Sequence, residues 1–81
     1  MAQALRLAII GELDAINLYE QLAEAAGDEA VRRILLEIAE EEKVHVGELL
    51  EALRRIDPEQ AEALEKGAAE ARGHLEGRGG G

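Results

Sequence analysis

Glu42-Lys43-Val44-His45 is the stretch of this chain whose residue types and spacing could do chemistry. A carboxylate and an imidazole at i, i+3 project from one face of a helix and together offer oxygen and nitrogen donors to a metal ion. That spacing also arises by chance on solvated helices, so its meaning depends on where the pair sits. Val31, Leu35, Ile38, Val46, Leu49, Leu53 and Ile56 recur at intervals of three, four and seven, which predicts one long amphipathic helix over about residues 28–56. At about 100° per residue, Glu42 falls in the middle of that apolar stripe and His45 about 60° to one side. A carboxylate there is costly unless it is neutralised, paired with a cation or used to bind metal.

The element before it carries a second misplaced acid. Residues from about 3 to 26 predict a first helix whose stripe runs Leu5, Ala8, Ile9, Ala15, Ile16, Tyr19, Ala23 and Ala26, with Glu12 at its centre. Gly27 is placed to end it as a left-handed cap and Asp28 to cap the next helix, so the two should fold back as an antiparallel hairpin. Glu12 lies fifteen residues before Gly27 and Glu42 fifteen after it. At about 1.5 Å per residue both carboxylates sit about 22 Å from the turn, at one depth on facing stripes. Tyr19, on the face of Glu12, reads first as a core aromatic with a satisfied hydroxyl. Glu40, Glu41 and Glu48 point off the stripe, and Arg32, Arg33, Lys43, Arg54 and Arg55 read as ordinary surface charges. Leu7, Ile10 and Leu18 cluster on the side that should face water, which predicts a second protein contact.

Asp57-Pro58-Glu59-Gln60 ends the second helix and begins a third, with Asp57 as N-cap, Pro58 at the first helical position and Gln60 closing a capping box. The third segment, about residues 58–72, has Leu64 and many alanines and is expected to pack weakly. Residues 73–81 read as a flexible glycine-rich tail or linker, with His74 alone in it, which leaves residues 1–72 as one small all-α domain. The net charge of −9 argues against nucleic acid and anionic membrane as partners and favours cations. Without cysteine there is neither a disulfide nor a thiolate zinc site, so metal and oligomerisation remain as the means of stabilising so short a chain. No apolar run is long enough to span a membrane and no signal peptide is recognisable, so the expected compartment is the cytoplasm.

One hairpin supplies only Glu12, Glu42 and His45. Two hairpins packed face to face make a four-helix bundle with four carboxylates and two imidazoles, the ligand set of ferritin-like di-iron proteins, and the site is then expected on the two-fold axis of a homodimer. Carboxylate oxygens with one imidazole per metal favour iron or manganese, and the reaction class is oxidation of Fe(II) to Fe(III) by dioxygen.

The runs Glu12-Leu13-Asp14-Ala15-Ile16-Asn17-Leu18-Tyr19-Glu20 and Glu41-Glu42-Lys43-Val44-His45 resemble those of the encapsulated ferritins, the cargo of encapsulin shells, and the resemblance covers roughly residues 4–72. Asp57-Pro58-Glu59-Gln60 is also similar to members in which this segment is cargo or is fused to the shell. The resemblance implies that Glu12, Glu42 and His45 are the iron ligands and catalytic residues of a ferroxidase, with Tyr19 close behind them. It further implies an annular decamer built from dimers, Leu7, Ile10 and Leu18 at its second interface, and an encapsulin shell protein as partner. Iron storage would then take place within a nanocompartment in the cytoplasm. The chain departs at Gly11, where some members carry an acidic residue implicated in cation entry, and Asp14 alone remains of that pair. No shell-targeting peptide is recognisable after residue 72. Two other readings stay open on the residues: a ferritin-like di-metal protein with another task such as peroxide reduction, and a metal-free structural dimerisation module.

Overall fold

The computed structural model describes residues 1–77 as three helices, with no strand among them. Helix α1 spans Ala2–Ala25, α2 spans Glu29–Ile56 and α3 spans Pro58–Leu75. The three-residue connection 26–28 leaves α1 and α2 no choice but to lie antiparallel, and they form the hairpin. Asp28 caps α2 as its sequence position predicts, its Oδ1 accepting from the Val31 N–H at 3.0 Å. Asp57 does the same for α3, accepting from the Gln60 N–H at 3.0 Å with Pro58 opening the helix.

The hairpin has very little interior. Ala23, Ala39 and Leu53 are its buried apolar residues. Leu5, Ile9, Ile16, Ile38, Val46 and Leu49 are half-buried, while Ala8, Val31 and Ile56 of the expected stripes are exposed. Two helices can cover only the part of each stripe that faces the other. The molecule measures 46 × 36 × 14 Å. Its thin dimension is little more than one helix with side chains, about 10–12 Å, so all three helices lie in a single layer. The accessible surface is 6024 Å² for a chain of 8.7 kDa. A compact monomer of that mass exposes about 4,700 Å². The radius of gyration, 16.4 Å, likewise exceeds the roughly 12 Å of a compact chain this long.

Three local expectations are corrected. Gly27 is not a left-handed cap: the chain leaves α1 through Ala26 in an extended conformation (φ −69°, ψ 129°), so the reversal needs no positive φ. Gln60 does not close a capping box, because the Asp57 N–H already donates to the Leu53 carbonyl at 2.8 Å and the Gln60 side chain accepts from Arg6. Gly73, His74 and Leu75, expected in the tail, form the last turn of α3. Arg72 and His74 complement the negative end of the helix dipole there, and the glycine with positive φ is Gly77 (φ 75°). The rest of the expected tail, residues 78–81, lies outside the described residues. Helix α3 has no buried residue, in keeping with its sparse apolar content.

Leu53 carries much of what burial there is, at 3% exposure. Leu53→Ala is expected to cost about 2–5 kcal/mol. Asp28→Ala, which removes only a cap, should cost about 1 kcal/mol. Denaturant melts of the metal-free protein followed by circular dichroism test that ranking, and an equal or reversed pair of losses would contradict it.

Candidate metal centre

Glu12 sits midway along α1, and Glu42 and His45 stand one turn apart on α2. Small residues at the helix contact, Ala23 and Ala39 among them, let the two helices approach closely. The equal-depth register then brings the three side chains together, with one donor atom from each lying within 4.8 Å of the others. His45 Nδ1 is 3.4 Å from Glu12 Oε2 and 3.6 Å from Glu42 Oε2, too far for good hydrogen bonds. Glu12 Oε2 is buried and has no hydrogen-bond partner.

That orphaned oxygen tests whether a cation fits. A desolvated carboxylate oxygen without a hydrogen-bond partner is a standing cost, and here its neighbours are a second carboxylate and an imidazole nitrogen. One divalent ion would satisfy all three at once. Hard oxygens plus one nitrogen suit iron or manganese. It is the one such group of three or more metal-ligating side chains among the described residues.

The cluster opens to one side. Glu12 and Glu42 side chains are 25% and 19% exposed, but His45 is 47% exposed. On α2, Val31, Ile34, His45 and Ile56 fall within about 60° of one another around the helix, and all four are exposed. The metal-binding edge of the hairpin is therefore also an uncovered apolar flank. Leu7, Ile10 and Leu18 are exposed on α1 as the sequence predicts. Leu13, Leu22, Leu36 and Val44 are exposed as well, which sequence reasoning missed.

Lys43 does more than an ordinary surface charge. It crosses from α2 to Glu20 of α1 at 3.3 Å and also meets Glu40 at 3.6 Å. The hydrogen bond to Glu20, followed by the charge of Glu40, raises its pKa above the usual lysine value. A raised lysine pKa makes the contribution complete below about 10.5 and removes it as pH climbs through the folded value, so the clasp persists at neutral pH. Tyr19 is half-buried on the face of Glu12, and its hydroxyl finds no hydrogen-bond partner among the described residues, unlike the satisfied core tyrosine expected. Asp14 is exposed and outside the cluster. A Cβ at Gly11 would meet no atom within 4 Å, so the missing side chain leaves open space.

A family model described as EncFtn-like matches residues 1–69. The ferritin-like-encapsulin shell fusion protein of Pyrococcus furiosus is 56% identical over 72 residues, covering 89% of this chain and 21% of that protein. The encapsulin nanocompartment cargo protein EncC of Myxococcus xanthus is 43% identical over 70 residues, covering 82% of this chain and 54% of that protein. The chain thus spans about a fifth of the first relative and about half of the second. The crystal structure of the encapsulated ferritin domain from Pyrococcus furiosus has the same fold, with a TM-score of 0.83 at 55% identity over 96% of this chain and 79% of that one.

If the cluster is a metal site, Glu12→Gln, Glu42→Gln and His45→Ala should each lower Mn(II) affinity by about tenfold to a hundredfold or more. Electron paramagnetic resonance of free Mn(II) measures this, with helicity followed in parallel. In metal-free protein Glu42→Ala should hold or raise the melting temperature, because alanine suits an apolar stripe better than a carboxylate does. Undiminished Mn(II) binding by all three variants would separate the cluster from any metal.

Proposed function

The chain belongs to the EncFtn-like family, and from that premise we propose that it is a ferroxidase whose centre is completed by a second copy of the same chain. The observation that carries the reading is Glu12 Oε2, buried without a partner beside Glu42 and His45. One hairpin offers two carboxylates and one imidazole. A second, docked on the flank that exposes His45, brings the set to four carboxylates and two imidazoles. Their charge of −4 balances two divalent ions. Iron is the substrate: each Fe(II) gives one electron to dioxygen and departs as Fe(III).

The chain's own residues have separable tasks. Glu12 and Glu42 hold the ions and offset the positive charge that accumulates as electrons leave. His45 presents Nδ1 to the same point. Val31, Ile34 and Ile56, on the same side of α2 as His45 but about 16 Å or more along it, would give the docked copy apolar contact on either side of the site. Tyr19, seven residues along α1 from Glu12 on the same face, would back the ligands, and Asp14 would be a charged approach point for incoming cations. Dimers formed in this way would associate again through Leu7, Ile10 and Leu18 into a ring, the annular decamer. The oxidised iron would be stored within an encapsulin shell in the cytoplasm. The names of the Pyrococcus and Myxococcus relatives support that placement. No helix among the described residues is long and apolar enough to cross a membrane.

Anaerobic Fe(II) titration followed by admission of air tests the activity. One iron per chain should bind and then oxidise, and Glu42→Ala should lose the fast oxidation while remaining helical. A structural dimerisation module would show no stoichiometric uptake. Oxidation by Glu42→Ala at the parent rate would discard the site.

The two contact faces can be tested apart. Ile10→Lys places a charge in the second apolar contact, and burying an unpaired lysine costs several kcal/mol at each copy. Sedimentation should show a dimer that still binds iron. A full-size ring would remove the second face from the assembly, and loss of the dimer itself would mean that the faces are assigned the wrong way round.

A further inference from the structure

The direction of α3 is held mainly by polar contacts. None of its residues is buried, and only Gln60, Ala61 and Leu64 near its start, and Gly73 near its end, are even half-covered. Beyond that small apolar contact with α2, two arginines join it to the hairpin. Arg6, from the second turn of α1, donates through Nη2 to Asp57 Oδ2 at 2.7 Å and through Nε to Gln60 Oε1 at 3.1 Å. Arg54, in the last turn of α2, donates through Nη1 to Glu65 Oε1 at 3.0 Å.

The joint between the helices is a single non-helical residue, Asp57 (φ −128°, ψ 87°). Pro58 after it disfavours the helical conformation at Asp57, so α2 and α3 do not merge into one rod. Asp57 divides its carboxylate between two duties: Oδ1 caps α3 and Oδ2 takes Arg6. The cap makes the helix start, and the arginine decides where it points. The Arg6 fork matters because one lysine-like point charge could not hold Asp57 and Gln60 together in a fixed plane.

We propose that Arg6 and Asp57 form a latch that fixes α3 against the hairpin, and that α3 is an arm released when the latch is broken or screened. Exposed ion pairs bias a population by a factor of about two to five each. The Arg6–Asp57 pair is the less exposed of the two ties, at 43% and 21% against 35% and 69% for Arg54–Glu65. It should be the dominant one. Since α3 is the last helix among the described residues, its direction sets where residue 78 onward leaves the hairpin, independently of any chemistry at Glu12, Glu42 and His45.

The sequence contains no cysteine, so spin labels can be placed at will. The full chain carrying Gln3→Cys and Glu70→Cys, both at exposed positions, would be labelled and diluted into excess unlabelled chain. Double electron–electron resonance then reads the distance from α1 to α3. The parent at low salt should give one narrow distribution. Arg6→Gln and Asp57→Asn should each broaden or shift it, asparagine keeping the cap while losing the charge. Adding 1 M salt to the parent, where the screening length falls to about 3 Å, should roughly double the width as well. A distribution that stays narrow in both variants and at 1 M salt would overturn the latch. So would loss of α3 helicity in Arg6→Gln, since the arginine would then be needed for the helix and not for its direction.

Discussion

Two helices joined by a three-residue turn cannot enclose a core, and the rest of this molecule follows from that constraint. Among the described residues only Ala23, Ala39 and Leu53 are buried, in a slab 14 Å thick whose surface is 6024 Å². Leucine, isoleucine and valine side chains stand exposed on both helices and add to that surface. Such a surface is an unfinished one. With no cysteine in the sequence, no disulfide compensates for so small an interior.

The acids at Glu12 and Glu42 gain their meaning from the same shortage. On a larger domain a carboxylate in an apolar stripe would be paired with arginine or replaced. Here no arginine among the described residues pairs with either acid: Arg6 meets Asp57, Arg32 meets Glu29 and Arg54 meets Glu65. Glu12 Oε2 is left without a donor although it is buried. Leaving such an oxygen unpaired is a cost, and a divalent cation beside it is one species that would offset it.

Much of this was legible in the residues, for a geometric reason. Apolar periodicity shows which face a helix buries, and a turn of known position converts residue number into depth, so Glu12 and Glu42 could be set opposite one another by counting. His45 came with them because i, i+3 on a helix leaves little freedom. The details that counting could not reach depend on competition between partners. Gln60 had two uses, closing a box or accepting from Arg6, and only the approach of α1 decided between them. Lys43 looked like one charge among many until α1 brought Glu20 within 3.3 Å. Gly73 looked like a breaker, yet the arginine and histidine around it carried α3 on to Leu75. Leu13, Leu22, Leu36 and Val44 were missed because a stripe shows what a helix buries but not how much of it one neighbour can cover.

The three-residue turn also bears on how the chain folds. Contacts between α1 and α2 grow steadily more distant in sequence away from the turn, from a few residues beside it to 30 between Glu12 and Glu42 and 51 between Arg6 and Asp57. Loop closure is cheapest for the nearest pairs, so the hairpin is expected to zip from its tip, each closed step shortening the search for the next. In that order Glu12, Glu42 and His45 meet midway and the tie to the third helix closes at the end. The cluster would then be gathered while the far end of the hairpin is still open.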